Sequence, residues 1–233
     1  MVVTLFASGC AGRTGAAPQA PEVALPRGAT LTRDPASGTV LFLKGKDLSR
    51  ELDLEPVFRA KRNAGDAEGV ARAFLAAYAP VFRLAEPNEE LVLRRIDLDK
   101  NGSTHVRFDQ AFRGLPIPGA QLIVHLDRGR RVVLVSGKYI QTPADFAMTP
   151  KLSADDARAA AEREGGFAAG ACAACAADLV LFAEKNQPPR LAWRVGVPID
   201  SAGALERTID AENGALLRSL PVALSRKWRE KRH

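Results

Sequence analysis

The chain has 233 residues, a net charge of +6 and a hydrophobic fraction of 46%, which is enough for one or two packed domains. Only 6% of the residues are aromatic, so the cores must consist mainly of Val, Leu, Ile and Ala. Five basic residues and one glutamate give the last eight positions a net charge of +4. No basic stripe interleaved with aromatics occurs elsewhere, which argues against nucleic-acid binding, and no apolar run reaches the length of a membrane span.

The N-terminus carries a short apolar run that ends in a cysteine. Residues 1–9 are apolar and then small, and Ala7–Cys10 resembles a bacterial lipobox, in which Cys10 would be lipidated. The run lacks the basic residues of a full signal peptide, so either the true start lies upstream or the resemblance is accidental. Residues 11–26 are rich in Ala, Gly and Pro, as a flexible tether would be. We expect a signal and tether over residues 1–28, with a lipid anchor as the contact with the membrane.

In chain order, the first folded unit is predicted to be a helix followed by hairpins. Val70, Phe74 and Tyr78 recur at four-residue spacing, which predicts a core-facing helix over Asp66–Tyr78. Apolar residues then alternate with polar ones and predict strands at residues 91–98, 104–112, 120–126 and 132–140. The dipeptide Asn-Gly at residues 101–102 predicts a hairpin turn, because both residues tolerate positive φ. A second turn is predicted at residues 127–129.

Residues 102–138 read GSTHVRFDQAFRGLPIPGAQLIVHLDRGRRVVLVSGK and alternate like a sheet punctuated by glycines and prolines. The ordered elements are His105-Val106-Arg107-Phe108, Gln110, Phe112, Gly114, Pro116, Gly119-Ala120 and Val124-His125. They resemble the centre of the fungalysin/thermolysin propeptide domain, and the resemblance implies a unit over residues 29–142. It implies structural roles for seven positions, which are His105, Arg107, Gln110, Gly114, Pro116, Gly119 and His125.

A second unit is predicted over residues 150–222. Ser153 fits a helix N-cap followed by an acidic first turn, and two glycines end the helix. Three or four strands follow, at residues 179–183, 191–198, 205–210 and 215–220. The runs Arg190–Val195 and Ile209–Gly214 resemble a PepSY domain, whose implied motif residues here are Trp193, Asp210 and Gly214. The two units together predict an α+β fold of two consecutive antiparallel sheets, each backed by a helix.

The sequence contains no catalytic constellation. A thermolysin-type catalytic domain needs His-Glu-x-x-His, and none of the three histidines is followed by that pattern. His105 and His125 lie on predicted strands and with a carboxylate could form a metal site, but hydrogen bonding within the sheet is the interpretation that we favour. Residues 97–102 imitate half of an EF-hand loop, yet Phe108 occupies the position that requires a glutamate. We therefore expect no enzyme activity, no metal and no cofactor.

Cys172 and Cys175 form a Cys-x-x-Cys pair in a stretch rich in Ala and Gly. A redox motif of the thioredoxin type would follow a strand and open a helix, and a zinc site would need a second pair. Two interpretations remain: two small apolar residues, or a local disulfide in an oxidising envelope.

The resemblance implies a binding function, since such propeptides assist the folding of their protease and inhibit it before cleavage. The segment that would reach the protease corresponds to residues 220–225, with Leu220, Val222 and Leu224 at alternate positions before a basic tail over residues 223–233. We expect a protein of the bacterial cell envelope, or a secreted one, that binds a thermolysin-type zinc metalloprotease in trans. The alternatives are an envelope lipoprotein that uses the modules for structural or ligand binding, and the N-terminal fragment of a metalloprotease precursor.

Overall fold

The computed structural model of the protein describes residues 24–60, 65–141, 145–184, 187–199 and 203–223. These residues form two antiparallel sheets with helices packed against them, which confirms the predicted α+β class. Cys10, Leu224 and the tail beyond residue 223 lie outside the described residues. Among the helices of the described ranges, none combines the length and the apolar character needed to cross a membrane.

The larger unit is a six-stranded sheet whose inner face is packed against a helix. Its elements are β1 (Thr30–Arg33), β2 (Val40–Lys44), α1 (Glu55–Ala60), α2 (Gly65–Ala77), α3 (Ala79–Phe82), α4 (Pro87–Glu90), β3 (Leu91–Leu98), β4 (Thr104–Phe112), β5 (Leu115–Leu126) and β6 (Val132–Lys138). The strand order is β1-β2-β6-β5-β4-β3, so β3 to β6 form a meander and the β1-β2 hairpin extends it beyond β6.

Helix α2 buries the apolar stripe that the sequence predicts. Val70 and Phe74 are fully buried, and the Phe74 ring lies 4.8 Å from the ring of Tyr78. The stripe packs into one cluster with Phe108 of β4. The helix ends one residue before Tyr78, because Pro80 occupies the first turn of α3, where a missing N–H costs nothing.

The β3–β4 turn is longer than the Asn-Gly dipeptide predicts. Only Gly102 has a positive φ, of 79°, and its N–H donates to the carbonyl of Asp99 at 3.1 Å. Asp99 also donates its own N–H to the carbonyl of Ser103 at 2.9 Å. The connection is therefore a tight turn followed by one left-handed glycine, which is the second common way to close a hairpin.

The two-residue turn lies instead between β4 and β5. Arg113 and Gly114 there have φ angles of 47° and 83°, so both central residues are left-handed. Arginine is an unusual residue for the first position of such a turn, so this turn could not be predicted from residue preferences. As a result β5 begins at Leu115 rather than at Ala120, and the prediction of a shorter strand was wrong.

The smaller unit is a helix followed by a four-stranded meander. Its elements are α5 (Ala154–Gly165), β7 (Ala177–Phe182), β8 (Arg190–Pro198), β9 (Gly203–Asp210) and β10 (Leu216–Ala223), in the sheet order β10-β9-β8-β7. Ser153 caps α5 as predicted, because its hydroxyl accepts from the Asp156 N–H at 3.2 Å while the Asp156 carboxylate accepts from the Ser153 N–H at 3.0 Å. Buried alanines of α5 let the helix lie close to the sheet.

Candidate functional site

Polar side chains from four neighbouring strands are in contact on the face of the larger sheet that is opposite α2, which we call the outer face. His105 of β4 lies directly opposite His125 of β5, and their Nδ1 atoms are 2.8 Å apart. His125 Nε2 lies 3.0 Å from Ser136 Oγ of β6. Arg107 donates from Nε to Asp97 Oδ2 at 2.8 Å. The alternation that buries the inner side chains of β4 thus places both motif histidines and the motif arginine on the outer face.

The electrostatics of the outer face keep His125 neutral at ordinary pH. Burial, with the neighbouring His105 and Arg107, lowers the pKa of His125 to about 4. The Asp99 carboxylate accepts backbone hydrogen bonds from Ser103 and Asn101, at 2.9 and 2.8 Å, which lower the pKa of Asp99 below its usual range. The second oxygen of Asp99 lies 3.4 Å from His105 Nε2.

The outer face does not supply a metal site in the part of the chain that the structure describes. There, no three His, Cys, Asp or Glu side chains are grouped so that they could hold a metal ion. The EF-hand-like run 97–102 is a hairpin turn, in which Asp99 Oδ1 accepts from two backbone amides of its own loop. What the arrangement can do chemically is hold and share protons across neighbouring strands.

Gln110 marks a break in the ladder between β4 and β5. Opposite it, residues 117–120 of β5 form a bulge, and Gly119 within the bulge has a φ of 83°, a conformation that glycine favours. The buried Gln110 side chain binds the backbone of Ile140 instead: Nε2 donates to the carbonyl at 2.7 Å, and Oε1 accepts from the N–H at 2.8 Å. Pro116 pairs with β4 just before the bulge.

The bulge brings the two sheets into contact. Ile117 and Ala120 are each 2% exposed, and they share a buried cluster with Leu181 of β7. Phe112 and Phe146 add an edge-to-face pair whose ring centroids are 6.2 Å apart. The bulge that contains Gly119, with Pro116 just before it, therefore shapes the junction between the two units.

A cleft of about 440 Å³ lies beside this junction, with walls from both units. Its polar lining residues are Asp34, Ser37, Thr39, Lys138, Gln141, Glu184 and Gln187. Their charges are mixed, so the lining selects neither an anion nor a cation. Tyr139 also lines the cleft, donates its hydroxyl to Glu90 and is buried, and both effects raise the pKa of Tyr139 above its usual value.

The motif residues of the smaller unit also have structural contacts. Trp193 donates from Nε1 to the carbonyl of Leu152 at 2.9 Å, which ties β8 to the segment that precedes α5. Asp210 Oδ1 accepts from the Glu212 N–H at 2.8 Å, and Gly214 has a φ of 77°, so together they close the β9–β10 turn.

Cys172 and Cys175 are joined by a disulfide, one of the two interpretations left open by the sequence. Both residues are buried. The Glu162 carboxylate of α5, itself only 7% exposed, accepts from the N–H groups of Gly170 and Cys172 at 3.0 and 2.6 Å. The disulfide loop is thereby held against the helix.

Two of the three predicted protease-binding residues, Leu220 and Val222, fall on the strand β10, and Leu224 lies outside the described residues. This strand is at an edge of the smaller sheet, with β9 as its neighbour. Leu220 is 42% exposed, and Val222 lies two positions further along the same strand. Pro221 between them fits an edge strand, because proline has no N–H to donate to a neighbour.

Two of these functional features escaped the sequence analysis. The Gln110–Ile140 contact had a usable signal, because the alternation of β4 places Gln110 on the same face as the buried Phe108, and a buried amide needs a partner. The bulge at residues 117–120 had no sequence signal beyond Gly119. The register of the β4–β5 hairpin depends on its turn, and the first residue of that turn, Arg113, is atypical.

Comparison with known proteins identifies a protease propeptide motif in the strands β3 to β6 of the larger sheet. Residues 89–139, which hold β3 to β6, match the Fungalysin/Thermolysin Propeptide Motif. Over 156 residues the chain is 28% identical to the bacillolysin of Bacillus subtilis (strain 168) and 30% identical to that of Bacillus amyloliquefaciens, and each alignment covers 63% of this chain and 30% of the relative. A transglutaminase-activating metalloprotease of Streptomyces mobaraensis is 35% identical over 83 residues, which cover 36% of this chain and 10% of that protein.

The chain therefore spans about 30% of the length of the bacillolysins that it matches. Among solved structures, the Bacillus megaterium YpeB C-terminal domain aligns with 83% of this chain and 82% of its own, at a TM-score of 0.40 and 14% identity. That likeness is too loose to carry a functional argument. The motif match and the relatives suggest a non-catalytic, propeptide-like protein related to the propeptides of thermolysin-type metalloproteases.

Proposed function

We propose that this protein is a non-catalytic propeptide-like binder that acts in trans on a secreted thermolysin-type zinc metalloprotease, as an inhibitor or a folding assistant. The observation that carries the proposal is the match of residues 89–139 to a protease propeptide motif. The contacts of the motif residues support it, because His105 and Gln110 bind neighbouring segments of the sheet and Gly119 forms the bulge in β5.

The binding surface in this proposal is the free edge of β10. In the described part of the sheet, β10 pairs with β9 on one side, so its other side offers main-chain donors and acceptors to an extended segment of the protease. The exposed Leu220, with Val222 and Leu224 at the following alternate positions, would fill apolar subsites of the enzyme.

The proposal includes two modules and an exported location. A propeptide module over residues 29–142 is followed by a PepSY-like module over residues 150–222, and Cys10 is the lipidated residue if the protein is anchored in the cell envelope. The disulfide of the second module supports export, since such bonds persist in oxidising compartments.

The test is capture followed by an activity assay. The purified chain is used as bait in the envelope and secreted fractions of its host, and any zinc protease that co-elutes is assayed with a peptide substrate at increasing chain concentration. Binding with slowed hydrolysis supports an inhibitor, and a higher yield of refolded protease supports a folding assistant. Binding and slowing of no thermolysin-type protease would falsify the proposal.

A matched pair of variants tests the binding surface. Leu220→Asp places a charge where the proposal needs an apolar side chain, and should weaken inhibition at least tenfold. Ser219→Asp adds the same charge at the neighbouring exposed position, which faces the opposite side of the strand, and should leave inhibition nearly unchanged. Equal effects of the two variants would move the protease contact away from Leu220.

The second candidate is an envelope lipoprotein that binds a ligand, and the cleft of about 440 Å³ between the units is the observation that favours it. Capture of no protease, with a small molecule retained in the cleft, would support this candidate. A further alternative is the N-terminal part of a metalloprotease precursor. A reading frame that encodes His-Glu-x-x-His directly downstream would establish it.

A further inference from the structure

Four side chains form a continuous polar chain across the larger sheet. It runs from Asp99 in the β3–β4 turn, through His105 of β4 and His125 of β5, to Ser136 of β6. The successive distances are 3.4 Å from Asp99 Oδ2 to His105 Nε2, 2.8 Å between the two Nδ1 atoms, and 3.0 Å from His125 Nε2 to Ser136 Oγ. Each contact joins neighbouring segments of the meander.

The carboxylate gives this chain a direction. An ionised carboxylate can only accept, so His105 presents its proton at Nε2 and uses Nδ1 as an acceptor. His125 must then donate from Nδ1, which leaves its Nε2 to accept from the Ser136 hydroxyl. The two rings therefore carry opposite tautomers, and the contact between their Nδ1 atoms holds a single proton.

We propose that the Asp99–His105–His125–Ser136 chain is an acid-sensitive latch that ties the β3–β4 turn to β4, β5 and β6. Acid adds its first proton at His125 Nε2, and the Ser136 hydroxyl then turns to accept from that nitrogen. A second added proton, at His105 Nδ1, places an N–H group on each side of the contact between the rings. Two N–H groups cannot face each other at 2.8 Å, so the rings must separate once both are charged, and the link between β4 and β5 is lost. The latch rests on the sheet alone and does not depend on a protease partner.

The surrounding charges oppose the protonation of both rings. On the outer face, Arg107 is two positions from His105 in β4, and Arg95 and Asp97 lie on β3, where Asp97 binds both arginines. From β2, Lys44 pairs with Leu134, which is itself the partner of His125. Beyond the end of β5, Asp127 is bound to Arg131. Asp97 and Asp127 are thus already paired with arginines, and burial first, then His105 and Arg107, lower the pKa of His125.

The Ser136–His125 pair invites a different interpretation, that of a nucleophile and its base. Ser136 lies in an inner strand whose backbone pairs with β2 on one side and β5 on the other. Within the described residues, the amides beside Ser136 are therefore used by the sheet and are not available to stabilise an oxyanion. A base is also expected to have a pKa near the working pH, whereas the pKa of His125 is about 4. The geometry points to a structural proton relay.

The experiment is a nitrogen-15 NMR titration of the histidine rings in the full chain, from about pH 7.5 to about pH 3.5, around the ordinary histidine pKa. We expect a proton on Nε2 of His105 and on Nδ1 of His125 at neutral pH, and exchange of the β4–β5 amides that accelerates once both rings are charged. Identical tautomers in the two rings, or titration of His125 like a free imidazole, would overturn the latch.

The variant Asp99→Asn provides a sharper test. The amide oxygen must accept from the N–H groups of Asn101 and Ser103, so the amide nitrogen faces His105 and acts as a donor. The whole relay should then reverse, with the proton on Nδ1 of His105 and on Nε2 of His125. Asp97→Asn, on the same face but bound to arginines, is the control and should leave both tautomers unchanged. Unchanged tautomers in Asp99→Asn would contradict the proposal, and the wild-type titration decides it if that variant fails to fold.

Discussion

The larger sheet packs phenylalanine and leucine against its helix, whereas the smaller sheet packs valine and isoleucine against the alanines of its helix. Phe74 and Phe108 are fully buried in the larger core, while α5 contributes three alanines to the smaller one and the loop after α5 contributes the disulfide. Alanine buries little apolar area, so the smaller core gains less from water exclusion. A small unit of this kind depends on specific links, here the disulfide and the carboxylate of Glu162.

The largest expected effect is a cavity in the larger core. Phe108→Ala should lower the free energy of unfolding by about 3–5 kcal/mol, because it removes a fully buried ring from the centre of the cluster. Urea denaturation measures the change. Val92→Ala is the control, since Val92 is 54% exposed on the neighbouring strand and should cost under about 0.5 kcal/mol. Similar losses in the two variants would mean that the larger unit does not depend on this core.

Loss of the disulfide should have the next largest effect. The double variant Cys172→Ser/Cys175→Ser should lose about 2 kcal/mol, since the bond closes a short loop and its removal frees the unfolded chain. Thermal unfolding with and without a reducing agent measures it. The reductant should lower the melting temperature of the wild type and leave the double variant unchanged. If reduction of the disulfide left the melting temperature of the wild type unchanged, the smaller core would not depend on this bond.

The pH dependence should differ between the two sheets. The folded pKa of His125, about 4, lies below its usual value of about 6.5, so the unfolded chain binds the proton more readily. The larger unit should therefore be most stable above about pH 6.5 and lose about 1–2 kcal/mol as the pH falls toward 4, a range reduced for partial exposure. Urea midpoints at stepped pH measure this loss.

The variant His125→Gln should flatten that pH profile between about pH 6.5 and 5, above the range in which most carboxylates titrate. The described part of the smaller unit contains no histidine, so its unfolding should change little in the same interval. An equal acid loss in wild type and variant would assign the effect to carboxylates.

The smallest expected effect concerns a turn. Arg130 has a φ of 61° between β5 and β6, where glycine is less strained, so Arg130→Gly should stabilise the protein by about 0.5–1 kcal/mol. Arg128→Gly is the matched control, because Arg128 has no positive φ and donates to the carbonyl of Asn101. Arg128→Gly should lower the free energy of unfolding. If both variants raised it, the effect would come from the unfolded chain and not from the φ angle of Arg130.

Much of the fold was predictable because its signals are local. The stripe of α2, the cap at Ser153 and the bounds of β3 and β4 follow from periodicity and capping, which depend on residues within a few positions. The start of β5 was not predictable, because it depends on the left-handed conformation of Arg113 in the preceding turn. The pairing of His105 with His125 needed a register that only the assembled hairpin defines.

The bulge at residues 117–120 gives the larger unit an apolar knob that its own core does not use, since Ile117 and Ala120 are covered by Leu181 of the other sheet. Without the smaller unit, the larger unit would expose these apolar side chains to solvent and would tend to self-associate. The smaller unit therefore covers an apolar surface of the larger one. A gene rearrangement that kept one without the other would yield a chain prone to self-association, which favours their inheritance as a pair.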